Sequence, residues 1–282
     1  MNLNALPEIV DSLPAMENPY VDLTLAFNRG RLRAILSSGQ AVVLYQLAVM
    51  SKDGDWILRE DAEALDHVLG VLAEQGARYR YGAPLDLRWL AGGWSSHLEL
   101  RRDGLRLRTD FVTRPPRISA PELEQMWREP VVRDVPVVGL EALAELKKTN
   151  REKDYPVIGE LARQMLDPRS QLLYSRSSRD LERLARQHPD AVADLVGRRP
   201  LLACIGAGRE ELDRQLDAER RVLMRVNEER LAAYFEASQG WAAIWSDVQR
   251  EMADRSLWEA HAMMTARAVG ILPFAPLGVT PP

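Results

Sequence analysis

The chain has 282 residues, of which 46% are hydrophobic and 28% charged, and its formal net charge is -4. This is the profile of a globular protein with enough chain for one large domain or two ordinary ones. The charge excludes a protein that coats nucleic acid through bulk positive charge, and leaves only a local basic patch for such binding. The single cysteine, Cys204, excludes an internal disulfide and a cysteine-based zinc site. Its apolar neighbours, residues 201–205, predict a buried thiol.

The sequence shows no pattern typical of a secretory signal or a membrane span. Residues 1–16 contain no basic segment followed by a long apolar one, and no stretch approaches the roughly 18 apolar residues of a membrane span. The sequence therefore predicts a cytoplasmic protein with no membrane partner.

The first half of the chain has mixed periodicity. Small residues at 37–39 precede an apolar stretch that predicts a helix over residues 41–49. Residues 56–58 are typical of a strand, and residues 61–76 repeat apolar residues at helical spacing up to a glycine. Residues 84–114 contain three alternating runs that predict strands, with Asp103-Gly104 as a hairpin turn between the last two.

The second half of the chain is helical in pattern. Residues 114–139 are rich in proline and predict a loop with one short helix. From Leu140 onward apolar residues recur three and four apart, until an irregular tail at 271–282. We therefore predict an α+β fold, with a mixed sheet and flanking helices in a domain of residues 1–170 and an all-helical domain of residues 171–282. The breakers in residues 167–178 mark the boundary.

Three acidic residues stand out in this arrangement. Asp53 and Asp55 are two positions apart at the start of a predicted strand, so they project from the same face. Asp110 lies on the return strand of the predicted hairpin, and strand pairing can bring it beside them. Adjacent carboxylates repel unless a cation lies between them. Three carboxylates can hold two Mg²⁺ ions about 3.5–4 Å apart, which is the outline of a phosphoryl- or nucleotidyl-transfer site.

Structural interpretations of the same residues remain open. Asp53-Gly54-Asp55 taken alone is more typical of a solvated turn, and Asp110 alone of a strand residue paired with Arg106 or Arg108. The basic residues 147–153 are also typical of a solvated helix end. The histidines share no ligand spacing and are assigned no chemistry: His67, His97, His188 and His261. Three tryptophans in the C-terminal helices are expected to pack rather than stack on bases: Trp241, Trp245 and Trp258.

The residues upstream of the acidic pair complete a pattern. Ser38, Gly39 and Gln40 precede the predicted helix, whose free N-H groups and positive dipole end suit a triphosphate. A small-residue turn, a helix, an Asp-x-Asp pair and a later lone Asp together resemble the DNA polymerase β-like nucleotidyltransferase superfamily. Residues 142–161 are similar to a segment of minimal nucleotidyltransferases and AbiEii-like toxins, in which a basic helix end runs into Arg-x-Lys-Asp.

The resemblance, which covers residues 30–166, implies roles for specific residues. Asp53, Asp55 and Asp110 would be catalytic metal ligands for two Mg²⁺ ions, with Mn²⁺ as a substitute. The nucleotide-binding residues would be Ser38, Gly39, Gln40, Lys147, Lys148, Arg151, Lys153 and Asp154, the last as a helix cap or as an orienting group for one of the bases. The enzyme would move a nucleoside monophosphate from an NTP to a hydroxyl of tRNA or protein. A role as a toxin or in phage defence, with an antitoxin as partner, is implied by the same analogy.

Two departures from the family pattern leave other functions open. Gly54 replaces the usual apolar residue between the acids, and Gln40 stands where Gly or Ser is common. The alternatives are a catalytically inactive nucleotide-binding protein and a helical interaction protein whose N-terminal part is purely structural.

Overall fold

The computed structural model describes residues 18–128 and 134–278. These residues form a mixed five-stranded sheet with helices on both faces and a long helical C-terminal part, which confirms the α+β class. The N-terminal residues examined for a targeting signal and the last four residues of the tail lie outside the described residues.

The sheet has the order β1-β2-β5-β4-β3. Its strands are β1 (Ala34–Ser37), β2 (Asp53–Leu58), β3 (Arg78–Tyr79), β4 (Ser96–Arg102) and β5 (Leu105–Val112). β2 and β5 are parallel and central, whereas β1, β4 and β3 pair antiparallel with their neighbours. Because β2 and β5 are parallel, residues at matching heights on the two strands project side by side.

The hairpin between β4 and β5 is formed as the sequence predicts. Asp103 and Gly104 both have positive φ, 51° and 78°, which a two-residue hairpin turn of this hand requires. The prediction of the first of the three strands is wrong, because residues 87–90 form the short helix α4 (Leu87–Leu90). The Asp86 side chain accepts a hydrogen bond from the Arg88 N-H and so begins a helical turn, while Trp89 and Leu90 are buried.

Four helices of the first half surround the sheet. They are α1 (Pro19–Phe27), α2 (Ser38–Leu44), α3 (Ala62–Glu74) and α5 (Ala120–Arg128). α3 is confirmed, with Asp61 as N-cap and Gly76 at φ 67° just beyond its end. α2 begins earlier and ends earlier than the predicted helix over 41–49, because Gln46 adopts a left-handed conformation (φ 61°) that ends the helix.

The second half is helical, as predicted. Its helices are α6 (Leu140–Leu146), α7 (Asp154–Gln164), α8 (Pro168–Tyr174), α9 (Ser178–Gln187), α10 (Pro189–Leu195), α11 (Arg209–Ala237), α12 (Gln239–Met252) and α13 (Leu257–Ala268). The stretch expected to act as breakers contains α8, which Asp167 caps. Cys204 ends a short 3-10 turn and is partly exposed, so the prediction of a buried thiol is wrong. Within the described ranges, no helix is both long and apolar enough to cross a membrane.

Three hydrophobic clusters hold these elements together. One face of the sheet packs on α1 and α3, and the tail and helices α12 and α13 join the same cluster. The other face packs on α2, α5, α6 and α7, and the third cluster lies among α8 to α11. Trp241 is 1% exposed and donates to the Gly82 carbonyl, as a packing role predicts, whereas Trp258 is 47% exposed. The division into domains at residue 170 stays a prediction, and helices from beyond it share a core with the sheet.

Candidate active site

The three predicted acids lie on the two central strands. Asp55 of β2 is the direct register partner of Asp110 of β5, and Asp53 is two residues earlier on the same face of β2. The opposite face of both strands is apolar and buried, with Trp56 stacked on Phe111 at a centroid distance of 5.4 Å. The alternation of the two strands therefore directs the acids away from this apolar core and toward one another.

Asp55 is the electrostatic centre of the group. Burial raises the pKa of its carboxyl to about 6, and the neighbouring negative charge of Asp110 adds to that rise. Lys147 and a hydrogen bond from the Ser38 hydroxyl act in the opposite direction and lower the pKa of Asp55. The net effect is a carboxylate whose charge is insufficiently compensated by the protein.

Asp110 is held by residues of β4 and its neighbourhood. Its Oδ1 lies 2.7 Å from His97 Nδ1 and 3.4 Å from Arg80 Nη1. Ser95 Oγ lies 2.8 Å from the other ring nitrogen of His97. This chain of contacts fixes the orientation of the Asp110 carboxylate beside Asp55.

Asp53 is less tightly held. Its side chain is 41% exposed and lies 3.6 Å from Arg108 Nη1, measured at Oδ1. That oxygen is shielded from solvent and accepts no hydrogen bond from the described residues. A buried carboxylate oxygen without a hydrogen bond is costly, and a cation or a donor placed there would offset the cost.

Gly54 is dictated by packing on the reverse side of β2. A Cβ at this position would lie 2.4 Å from Trp56 and 2.5 Å from Tyr20. Tyr20 in turn donates from its hydroxyl to the Lys52 carbonyl and ties α1 to the start of β2. The departure from the usual apolar residue therefore reflects two large rings on the buried face, and it leaves both carboxylates on the other face.

The small residues 37–39 form the N-cap and the first two residues of α2, beside the acids. Ser38 has φ 50° and its hydroxyl bonds to Asp55, while Ser37 Oγ donates to the Asp55 carbonyl at 3.1 Å. A Cβ at Gly39 would lie 2.2 Å from Ser51 Oγ, so a side chain there would require Ser51 to move. The Gln40 side chain is 2% exposed and points inward, with Nε2 donating to the Ser51 carbonyl at 3.0 Å. The structure thus brings Ser38 to the acids and turns Gln40 away from solvent.

Lys147 is the one predicted cation that approaches the acids. It is 6% exposed, its Nζ lies 3.6 Å from Asp154 Oδ1, and it interacts with Asp55. Burial is the main reason why its pKa is lowered, and the charge of Asp154 raises it in part. Asp154 also accepts hydrogen bonds from Thr149 Oγ1 and Arg151 Nε, at 2.6 and 2.8 Å, so it orients Arg151 at the start of α7.

The remaining predicted cations have other surroundings. Lys148 lies 2.6 Å from Glu145 and 5.0 Å above the ring of Tyr174. Lys153 is exposed at the N-cap of α7. No contact of Lys148 or Lys153 with the three acids is among those described for residues 18–128 and 134–278, and their nucleotide role stays a prediction.

The side chains of this site have the right chemistry to bind a divalent cation, but their present arrangement is not that of a metal site. Carboxylate oxygens suit Mg²⁺, and Asp55 and Asp53 Oδ1 both lack adequate compensation. Across the described part of the chain, however, no three His, Cys, Asp or Glu side chains are arranged as a ready metal site. The reason is visible in the contacts: Asp53 lies toward Arg108, and Asp110 toward His97 and Arg80. Asp55 would be the first ligand of a cation, and Asp53 and Asp110, which flank it, would have to turn from their present partners to join it.

Two residues of the site were missed from the sequence. His97 and Arg80 contact Asp110, although the histidines were assigned no chemistry. The signal for His97 was present, because counting back from the Asp103-Gly104 turn places it opposite Asp110 in the hairpin. No comparable signal existed for Arg80, which lies just beyond the two-residue strand β3.

The chain is similar to two solved structures. No family model and no curated protein matches the chain. One structure is a "putative nucleotidyltransferase" from H. pylori, 14% identical, with 74% of this chain and 95% of that chain covered and a TM-score of 0.37. The other is JHP933 from Helicobacter pylori, also 14% identical, with 76% and 94% covered and a TM-score of 0.37. Neither match assigns a reaction to this chain.

Proposed function

We propose that this protein is a metal-dependent nucleotidyltransferase that moves a nucleoside monophosphate from an NTP to an acceptor hydroxyl. One observation carries the proposal: Asp55 and Asp110 face each other across the parallel β2–β5 pair, with Asp53 two residues away and the Ser38-Gly39 turn in contact. Placing two partly buried carboxylates side by side is unfavourable unless cations compensate them, and a metal ion would supply that charge at Asp55.

Each residue of the site has a specific role in this proposal. Asp55 and Asp110 would hold Mg²⁺, with Asp53 as third ligand and with Mn²⁺ able to replace Mg²⁺. The bound metal would supply Lewis-acid stabilisation of phosphate charge. Ser38 and the backbone at Gly39 would lie against the phosphates, next to the carboxylate of Asp55 that the Ser38 hydroxyl already contacts. Lys147 keeps Asp55 in its charged form, which is the form that binds a cation.

The acceptor belongs to the same proposal. A hydroxyl of tRNA or of a protein is the acceptor that the resemblance implies, together with a toxin or phage-defence role and an antitoxin partner. Lys148, in the loop after α6, and Arg151 and Lys153, just before α7, are proposed as phosphate contacts; Asp154 already orients Arg151. Gln40 would act only through the backbone of the turn, since its side chain is buried.

The test is label transfer. The full chain is incubated with each α-labelled NTP, Mg²⁺ or Mn²⁺, and total RNA or protein extract, beside Asp55→Asn and an Asp190→Asn control in α10, remote from the acids in sequence. We expect label on a macromolecule with the wild-type chain and the control, and none with Asp55→Asn. Absence of transfer from every NTP, with the chain folded, would remove the proposal.

A second candidate function is nucleotide binding without catalysis. The contacts of Asp53 with Arg108, and of Asp110 with Arg80 and His97, favour it because two guanidinium groups and a histidine ring already take part of the role of a metal. Thermal shift with NTP and Mg²⁺ separates it from a purely structural protein, since a ligand of the folded state raises Tm. A rise in Tm without label transfer supports this second function.

A further inference from the structure

A separate cavity lies where β2 and β5 end. Its volume is about 740 Å³, within the range of small-molecule sites. Residues that follow β2 and β5 form one wall, and α5, α11 and the segment before Gly278 form the others. None of Asp53, Asp55 and Asp110 lines it.

The lining of this cavity has an excess of positive charge. Four arginines line it: Arg59, Arg114, Arg117 and Arg230. Its three carboxylates are each ion-paired, Glu60 with Arg114, Asp61 with Arg31 and Glu124 with Arg128. Among the residues that the structure describes, Arg59, Arg117 and Arg230 have no carboxylate within ion-pair distance.

Arg230 is the clearest case. Its Nε is buried and makes no hydrogen bond with any described residue, and its guanidinium carbon lies 5.6 Å from the ring centre of Tyr234. Burial lowers the pKa of Arg230. A buried guanidinium nitrogen without an acceptor is unfavourable by the full cost of its desolvation.

Arg117 adds a second buried guanidinium. It donates to the Glu145 carbonyl at 2.8 Å and to Asn227 Oδ1 at 2.5 Å. Burial lowers its pKa to about 10; the Glu145 carboxylate raises it in part, and the charge of Arg230 lowers it further. That carboxylate is itself 2.6 Å from Lys148. Two like charges thus face one cavity without an anion between them, and an oxyanion there would relieve both costs.

We propose that this cavity binds the phosphate group of a phosphorylated ligand, with Arg117 and Arg230 as the anion-binding residues. Guanidinium groups bind phosphate through paired hydrogen bonds, and a phosphate monoester carries a charge of about -1.5 to -2, which suits several unpaired cations. Arg59, 4.9 Å over the ring of Trp127, supplies a third positive charge. Trp127 and Tyr234 offer aromatic surface to the remainder of the ligand. This site goes beyond the proposed function and uses none of its residues.

Two kinds of ligand would present the same phosphate group to this cavity. A smaller cavity of about 300 Å³ shares Arg114, Arg230 and Tyr234 with the first and reaches His97, which holds Asp110. The phosphate therefore belongs either to an acceptor that extends toward Asp110 or to a separate phosphorylated compound.

The experiment measures binding of pyrophosphate and of inorganic phosphate to the full chain by calorimetry, with EDTA present so that no metal-nucleotide complex forms. The variants are Arg230→Gln and, as matched control, Arg225→Gln, an exposed position on the same helix. We expect saturable binding that Arg230→Gln weakens about tenfold or more, the size of a lost charged hydrogen bond. Arg225→Gln and Asp55→Asn should bind as the wild type does. Absence of binding, or equal loss in both arginine variants, overturns the proposal.

Thermal stability provides a second measurement. Without an anion, Arg230→Met should raise Tm, because it removes a buried donor that has no acceptor, and pyrophosphate should raise Tm only in the wild type. A lower Tm for Arg230→Met without ligand, together with an unchanged response to pyrophosphate, contradicts the site. In the transfer assay, a higher KM for the acceptor in Arg230→Gln assigns the phosphate to the acceptor, and an unchanged KM assigns it to a separate compound. Because binding is measured in EDTA and in Asp55→Asn, failure of the proposed transfer activity leaves this test intact.

Discussion

Asp55 and Asp110 oppose each other at the same height of the parallel β2–β5 pair. Asp110 contacts His97 and Arg80, whereas the groups that favour the charged form of Asp55 are Lys147 and the Ser38 hydroxyl. Burial, and after it the charge of Asp110, raises the pKa of Asp55 to about 6, so Asp55 is the carboxylate of the site at which we expect pH and added cations to act.

Asp55→Asn should stabilise the metal-free protein at neutral pH. The folded-state pKa of Asp55 is about 6, above its ordinary value of 3.8, so the ionised form costs stability. This cost is absent below pH 3.8, grows between pH 3.8 and 6, and is complete above pH 6. We expect the variant's Tm to exceed the wild type's by an amount that grows over that window, and the difference in free energy of unfolding to reach roughly 1 to 3 kcal/mol at pH 7.

Added Mg²⁺ provides the control for that measurement. A cation bound by Asp55 should reduce the Tm difference at pH 7 by stabilising the wild type alone. A Tm difference that does not change between pH 4 and 7 would show that Asp55 is solvated.

Gly54→Ala should destabilise the fold. The added Cβ would lie within 2.5 Å of both Tyr20 and Trp56, and neither ring can retreat easily because Trp56 also stacks on Phe111. We expect a loss of about 1 to 3 kcal/mol in chemical denaturation. Gly197→Ala is the matched control, since nothing lies within 4 Å of its added Cβ. Equal stabilities of the two variants would contradict the packing explanation.

His97→Ala should reduce transfer activity without removing it. His97 orients Asp110 through a 2.7 Å contact, and loss of such a partner typically costs about 10- to 100-fold in activity or metal affinity. Steady-state label transfer at several Mg²⁺ concentrations checks this, with His188→Ala, at the end of α9, as control. A His97→Ala enzyme with unchanged rate and unchanged Mg²⁺ dependence would exclude the positioning role.

Lys147→Met should shift the titration of Asp55. Lys147 lowers the pKa of Asp55, so its removal should raise that pKa further; the Asp55-dependent loss of stability should still begin near pH 3.8 but become larger and extend to higher pH. Asp154 keeps Thr149 and Arg151 as partners, which permits folding. Lys148→Met, which loses a contact with Glu145 instead, should leave the pH profile in place. The measurement is Tm against pH for both variants, and identical profiles would argue against a role of Lys147 at the site.

Local patterns account for much of the fold. Apolar spacing predicts α3 and the helices after residue 140, and Asp103-Gly104 predicts the hairpin with its register. β1 and β3 are too short, at four and two residues, to show an alternation of their own. The error at α4 has a specific cause: residues 85–90 alternate as a strand does, but Asp86 caps a helical turn.

The candidate site depends on contacts that sequence order does not reveal. Asp55 meets Asp110 only through the parallel pairing of β2 with β5, which joins residues 55 apart in the chain. The burial of Lys147 follows from packing of α6 and α7 rather than from the basic run in which it lies. Gln40 is an example of a suitable residue that is not available: its side-chain amide could donate to a phosphate, but it donates to the Ser51 carbonyl instead.

Residues 272 and 273 complete the hydrogen bonding of two tryptophans that lie much earlier in the chain. Trp89 and Trp94 donate their indole N-H groups to the carbonyls of Leu272 and Pro273, more than 170 residues later. Synthesis on the ribosome therefore leaves these two indoles without their final acceptors until residues 272 and 273 emerge. Contacts of such long sequence separation slow folding, so part of the apolar surface around the nascent sheet stays uncovered until these later residues have been synthesised.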